Sequence, residues 1–435
     1  MSANTVDFLS HRQRLLDRLE DDEAVLLFGV SHAIRNGDAE YRYRPHSDLY
    51  WLTGWKDPEV AVFVKHGEAP FTIFVQPKNK AMEIWTGVRP GPQGAVDDFG
   101  LDVAHEFGDL PDILPELLKG IRKLHYGFAE DSDNDAILMG SVRKAARTAG
   151  RKGMPTPDTF YSPTRMLHEL RLIKGPDEVA TLQEAARITE IAHREAMRTT
   201  VPGKTEYEIE SQLQYIFRRE GGDGPGYTPI VAGGANACIL HYINNDQPLK
   251  DGDLLLIDAG CEFAFYTADV TRTFPVNGKF SEPQRRVYNW VLKAQEAAIE
   301  CIRPGTPYEE IGKAALRVLV EGMLDMDLLE GTVEENMESQ SYKRFYMHGI
   351  GHWLGLDVHD VGDYGRNGGS RPLEPGMVLT VEPGIYIADD DETVPPEYRG
   401  IGVRIEDNLM VTAGAPLNLT AGIPKTIEEV EEACK

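Results

Sequence analysis

Cysteine is scarce in this chain: four in 435 residues, Cys238, Cys261, Cys301 and Cys434, with no CxxC spacing among them. That excludes a disulfide framework, and a reducing cytoplasm is the compartment such usage fits. Long apolar runs are missing too. A stretch such as AVLLFGV, Ala24 to Val30, falls far short of the roughly 18 residues that cross a bilayer, and it reads as a buried strand. The opening segment MSANTVDFLSHRQRLLDRLE has no charged region followed by an apolar core; it reads as a polar lead into an amphipathic helix, not a signal peptide. Positive charge is in deficit as well. Lys and Arg number 45 against 70 Asp and Glu, a formal charge of −25, which argues against nucleic acid or an anionic membrane as the main partner.

Hydrophobic residues at 41% and charged residues at 26% are ordinary for a folded protein, and the length calls for two domains. The first third alternates helical periodicity with short β-rich runs, AVLLF, VAVFV and FTIFV, as an α/β domain does. Near Lys174 the texture changes. Gly175 and Pro176 punctuate the chain and Asp177 and Glu178 load the first turn of a new helix, so the reading places an N-terminal domain over residues 1–174 and a second over 175–435.

The new helix is expected to run to about Arg198 with an apolar stripe at Val179, Leu182, Ala185, Ile188, Ala192 and Ala196. A second long helix starts after Ser281, where Ser281 and Gln284 match a capping box, and is expected to end near Arg303. The sequels echo each other. Pro202, Gly203, Glu208 and Ile209 recur as Pro304, Gly305, Glu310 and Ile311, a weak internal duplication in which each half leads from helices to β segments.

Those β segments carry the chemistry. Asp258 ends the apolar run Leu254 to Ile257, Asp269 opens a β-branched run, Glu382 follows Val381 in an otherwise apolar strand, and Glu406 stands two residues after Arg404. Three have a plainer alternative: a turn or helix cap for the aspartates, a salt bridge to Arg404 for Glu406. A carboxylate on a buried strand must nevertheless be paired or bound to metal. The segment FYMHGIGHWLGLDVHDVG adds His348, His352 and His359, and CILHYINND adds His241. Asp258, Asp269, His352, Glu382 and Glu406 together form the ligand set of two hard divalent cations, whose charge four carboxylates and a hydroxide balance. Oxygen-rich ligation favours Mn(II), with Co(II) as a substitute.

At this point the chain resembles the pita-bread metallopeptidases and, within them, the Xaa-Pro aminopeptidase (aminopeptidase P) family. The segments LLLIDAGCEFAFYTADVTRTFPVNGKF, FYMHGIGHWLGLDVHDVG, LEPGMVLTVEPGIYIA and YRGIGVRIEDNLMVT carry the resemblance over the ligands, and NGDAEYRYRPHSDLYWLTGW and AMEIWTGVRPGP carry it over the N-terminal domain. The resemblance implies an α/β N-terminal domain and an α+β pita-bread catalytic domain of two halves related by a pseudo-twofold. It implies a homotetramer or homodimer that releases the first residue from peptides with proline in the second position, by attack of a metal-bridging hydroxide. Asp258 would then chelate one ion, His352 and Glu382 the other, while Asp269 and Glu406 bridge. Glu382 would shuttle the proton, with His241 and His359 near substrate and oxyanion. His348 and Arg404 would hold the residue after the cleaved bond, Tyr227 and Tyr386 would wall the proline pocket, and Trp85 would reach a neighbouring subunit's site. The competing readings are an Xaa-Pro dipeptidase (prolidase) of the same fold, a non-catalytic binding module, and a creatinase-like metal-free hydrolase.

Overall fold

A computed structural model describes residues 6–435 and divides them into two compact units, one running from Asp7 to Arg171 and the other made of Val6 and Leu172 to Lys435. Residues 1–5, most of the polar lead expected at the start, lie outside the described residues. The amphipathic helix that follows spans Phe8–Leu16, with Asp7 capping it through a 3.1 Å bond from the Ser10 amide.

In the amino-terminal unit, the three β-rich runs become the strands Glu23–Phe28, Ala61–Lys65 and Phe71–Val75. They are the middle of a six-stranded mixed sheet completed by Val103–Glu106 at one edge and by Lys123–His125 and Thr159–Tyr161 at the other. Antiparallel pairing joins the central three, and parallel pairing adds the outer three. Leu26, Phe63, Phe74, Leu124 and Leu138 are buried in its core.

In the second unit the long helix runs over Pro176–Thr199, with Pro176 in its first turn and the Gly175 amide donating to Glu178 at 2.8 Å. Pro fits there because its missing N–H is one of the helix's unpaired donors. The later helix spans Glu282–Glu300, three residues short of Arg303, because the chain turns at Cys301 and Ile302. The Ser281 amide donates to Gln284 Oε1 at 2.8 Å, half of the expected capping box.

The internal echo has a structural counterpart. Gly203 and Gly305 both take positive φ, +93° and +86°, and donate their amides to Leu249 and Leu373, each at 2.8 Å. Two residues later each half adds an isolated bridge, Thr205 to Pro248 and Pro307 to Pro372, and then starts a helix, Glu206–Arg219 or Tyr308–Asp325. The first half contributes the antiparallel sheet Ile230–Gly233, Leu254–Asp258 and Thr271–Pro275. In the second half Val378–Val381 pairs with Asp407–Met410, and Gly384–Tyr386 pairs with Gly402–Arg404.

One expectation needs correcting. Only Asp258 lies within a strand; Asp269 sits two residues before one, and Glu382 and Glu406 occupy the breaks between the paired segments of the second half. The breaks have a physical basis: the Glu382 amide leaves its own sheet for the Ile350 carbonyl at 2.8 Å, and the Glu406 amide goes to Thr271 at 3.0 Å. These amides therefore link strands of both halves and segments of the histidine loop.

Candidate metal centre

The two aspartates meet because of a glycine. A Cβ on Gly260 would lie 1.7 Å from the Ala268 carbonyl oxygen, so only glycine lets the segments carrying Asp258 and Asp269 approach this closely. Ala259 and Val270 then bond at 3.1 Å, and the Tyr227 hydroxyl lies between the acids, 2.7 Å from Asp258 Oδ1 and 2.6 Å from Asp269 Oδ1. The second half repeats the device. A Cβ on Gly351 would lie 2.1 Å from the Thr380 carbonyl oxygen, and next to it the His352 amide donates to Thr380 Oγ1 at 3.0 Å.

His352 donates from Nδ1 to the Trp353 carbonyl at 3.0 Å, which leaves Nε2 facing the acids, 3.2 Å from Asp269 Oδ2 and 3.7 Å from Glu382 Oε1. Ligand atoms of Asp269, His352 and Glu406 all lie within 4.8 Å of one another. Glu382 adjoins this group through His352, and Asp258 through Tyr227 and Asp269. Arg404 does not pair with Glu406. Its Nη2 bonds Asp258 Oδ2 at 2.7 Å, and Thr271 Oγ1 stands between the two, accepting from Arg404 Nε at 3.0 Å and donating to Glu406 Oε2 at 2.7 Å.

The electrostatics fit cations. Burial raises Glu406 well above the ordinary carboxylate range, and the charges of Asp269, Glu382 and Asp258 push it further. Burial also raises Glu382, to about 7, with His352 opposing and Asp269 adding to the rise. Burial raises Asp258 against the pull of Arg404. For His352 burial alone would lower the imidazole, but the hydrogen bond and charge of Asp269 and the charge of Glu382 outweigh it and lift it to about 9. Two buried and two half-buried acids that repel one another, with a histidine holding a proton at Nε2, form a hard-donor cradle that divalent ions would neutralise while displacing those protons.

A cleft of about 420 Å³ opens beside the group, lined among others by His241, His348, His352, His359, Glu382 and Arg404. His359 is exposed, its ring 4.3 Å from that of His352. His348 bonds Tyr386 through Nε2 at 2.8 Å, and burial together with the Arg404 charge lowers it to about 4. Tyr386 and Tyr227, expected as walls, are not among the residues that line this cleft. Their hydroxyls are drawn to charged partners, Tyr386 to Arg404 at 3.1 Å and Tyr227 to the aspartates, and the tyrosine that does line the cleft is Tyr364. Trp85 belongs to the amino-terminal unit, on the helix Lys80–Thr86, and is 83% exposed.

Sequence reasoning missed Thr271, Thr380 and Asn408. Thr271 carried a legible signal, since it stands two residues after Asp269 in a β-branched run and so shares its strand face. Asn408, which accepts from the Asp269 amide at 3.1 Å, carried none.

Known proteins place this geometry. Residues 180–413 match the model of metallopeptidase family M24, and residues 8–125 match that of the aminopeptidase P N-terminal domain. The chain belongs to metallopeptidase family M24. It is 43% identical over 427 residues to the Xaa-Pro aminopeptidase of Haemophilus influenzae and 42% identical over 428 residues to that of Escherichia coli, covering 98% of this chain and 96% of each relative. Among solved structures, an aminopeptidase from Pseudomonas aeruginosa superimposes with a TM-score of 0.95 at 43% identity, covering 98% of this chain and 97% of that one. Zinc-substituted E. coli aminopeptidase P in complex with product matches with a TM-score of 0.94 at 41% identity and the same coverage. This M24 chain therefore has the pita-bread catalytic fold behind an aminopeptidase P N-terminal domain, and it is a metal-dependent hydrolase.

Proposed function

We propose that the protein is an Xaa-Pro aminopeptidase that releases the first residue of Xaa-Pro-Yaa peptides at a centre of two divalent ions, most simply Mn(II). The observation that carries this is the convergence of Asp269, His352 and Glu406 within 4.8 Å, flanked by Glu382 and Asp258, beside a histidine-lined cleft. Asp258, Asp269, His352, Glu382 and Glu406 would hold the ions. When bound, they supply Lewis acidity to the attacking water and the scissile carbonyl.

The chain's own groups do the rest. Glu382 faces the cleft and can carry a proton from the attacking water towards the leaving amine. His241 and His359, on the cleft's exposed side, can donate hydrogen bonds to the developing oxyanion. His348 is held neutral and Arg404 charged, and together they suit the carbonyl side of the residue after the cleaved bond. The X-Pro bond has no N–H to bind, so recognition must come from the ring and from these polar anchors. Tyr227 and Tyr386 support the reading as holders of Asp258, Asp269, His348 and Arg404.

We assign catalysis to residues 175–435 and an accessory role to residues 1–174, with Trp85 serving a neighbouring subunit in a homotetramer or homodimer. The four free cysteines suit a cytoplasmic setting, and no helix among the described residues is long and apolar enough to cross a membrane. The match of residues 8–125 to the aminopeptidase P N-terminal domain supports the aminopeptidase over a dipeptidase.

Metal analysis beside product analysis tests the proposal. The wild type should carry about two Mn(II)-type ions per chain and free the first residue of a longer Xaa-Pro peptide. Glu406→Gln should lose metal and fall in activity by more than the roughly 10–100-fold typical of an outer-sphere change. Cleavage of Xaa-Pro dipeptides alone would favour the prolidase reading, and an active protein free of metal would overturn both.

A further inference from the structure

We propose that Gln295 is a positioning residue for the metal centre: one buried side-chain amide sets the relative placement of Glu382 and Glu406. The inference rests on reading those two acids as ligands. Gln295 lies on the helix Glu282–Glu300 and is fully enclosed. Its Nε2 donates to the Val381 carbonyl at 3.3 Å and to the Ile405 carbonyl at 3.2 Å. Val381 precedes Glu382 and Ile405 precedes Glu406, so a single amide grips the residue before each acid.

The grip falls where the sheet itself gives least support. The pairing of Val378–Val381 with Asp407–Met410 stops at this point, and pairing resumes as Gly384–Tyr386 with Gly402–Arg404. Glu382 and Glu406 lie in the gap, their own amides committed to Ile350 and Thr271. No regular ladder fixes the distance between the two acids there, and the two N–H groups of one planar amide, a rigid spacer, can do so.

The orientation of that amide is itself enforced. Lys425 Nζ donates to Gln295 Oε1 at 3.0 Å, which turns the NH₂ end towards the two carbonyls. Lys425 is held in turn by Asp407 Oδ2 at 2.6 Å, and Asp407 by Arg272, which also donates to the Pro424 carbonyl at 2.9 Å. Burial would raise Asp407, yet the charges of Arg272 and Lys425 hold it well below the usual carboxylate range. The chain Arg272, Asp407, Lys425, Gln295 therefore runs from a buried ion cluster to the backbone beneath both acids. A side chain acting through ligands in this way alters metal affinity or activity by roughly 10–100-fold when lost.

The test compares the full-length wild type, Gln295→Met and Val291→Ala, by equilibrium dialysis against Mn(II), thermal melting, and kinetics on an Xaa-Pro-Yaa tripeptide. Gln295→Met keeps the volume and removes both donors. It should bind Mn(II) about 10–100-fold more weakly and lower kcat rather than raise KM. Val291→Ala opens a cavity one turn away on the same helix; it should melt earlier while keeping Mn(II) affinity within about twofold, because both Gln295 donors to the Val381 and Ile405 carbonyls remain. If Gln295→Met does not fold, Gln295→Asn, one methylene too short to span both carbonyls, reads the same quantities. Wild-type affinity and kcat in a folded Gln295 variant would overturn the assignment, as would an equal loss of affinity in Val291→Ala. A wild type that binds no Mn(II) would remove the metal reading first, and this one with it.

Discussion

His193 is wholly enclosed, and its Nε2 bonds the Ala259 carbonyl at 2.9 Å, one residue after Asp258. Burial lowers this imidazole to about 4, with the Arg272 charge adding to the fall and the hydrogen bond opposing it. The unfolded chain takes up a proton near the ordinary value of about 6.5, so between these limits it binds more protons than the fold, and stability rises with pH. The contribution is fully present above 6.5 and is lost as pH falls towards 4, about 3 kcal/mol in all. His193→Gln keeps an N–H for Ala259 and removes the titration. Denaturant unfolding at stepped pH should show the acid-side slope reduced by about 1.4 kcal/mol per pH unit; an unchanged slope would show that His193 does not titrate on unfolding. At this scale the sequence revealed residue types well and partners poorly. Four acids and a histidine-rich loop stood out by chemistry and order, whereas the pairing of Arg404 with Asp258 rather than its near neighbour Glu406 spans 146 positions along the chain and leaves no local trace.

Glycine governs the elements that carry the acids. Gly260 has the Ala268 carbonyl where its side chain would be, and the turn it permits brings Asp258 and Asp269 to the same Tyr227 hydroxyl. Gly260→Ala should cost at least about 2 kcal/mol by overpacking, and because the strain falls between the two ligand segments it should also lower metal content. Denaturant melts and metal analysis on the same preparation check this, and full metal content in a destabilised Gly260→Ala would separate fold from site. Helices were legible because their signals are local. The 176–199 helix shows in its proline, acidic first turn and apolar stripe. The breaks holding Glu382 and Glu406 were read as continuous strand, because the apolar residues around them look alike whether or not the ladder is interrupted. What interrupts it is contact with Ile350 and Thr271, which period-two patterning cannot register.

Across the whole molecule, the acidic cradle is a store of repulsion that bound cations relieve. Ions that bind only the folded chain stabilise it by about 2.7 kcal/mol at a hundredfold excess over their dissociation constant. Thermal melts should therefore rise by several degrees on adding Mn(II) and fall again with a chelator, and a melting point indifferent to metal would contradict the site. The two echoing halves were readable from Pro202-Gly203 and Pro304-Gly305, since both need the same turn with the same positive φ. The sequence by itself determined the helices, the duplicated turns, the scarcity of disulfide chemistry and the candidate acids for the metal centre, because those follow from local geometry and side-chain type. Only the tertiary structure decided that Glu382 and Glu406 stand at strand breaks, that the Tyr227 hydroxyl goes to Asp258 and Asp269 and the Tyr386 hydroxyl to Arg404, and that Gln295 bonds the carbonyls before Glu382 and Glu406. Each of these is a contact between segments far apart in the chain, and hydrogen-bond geometry in space, not order in sequence, selects it.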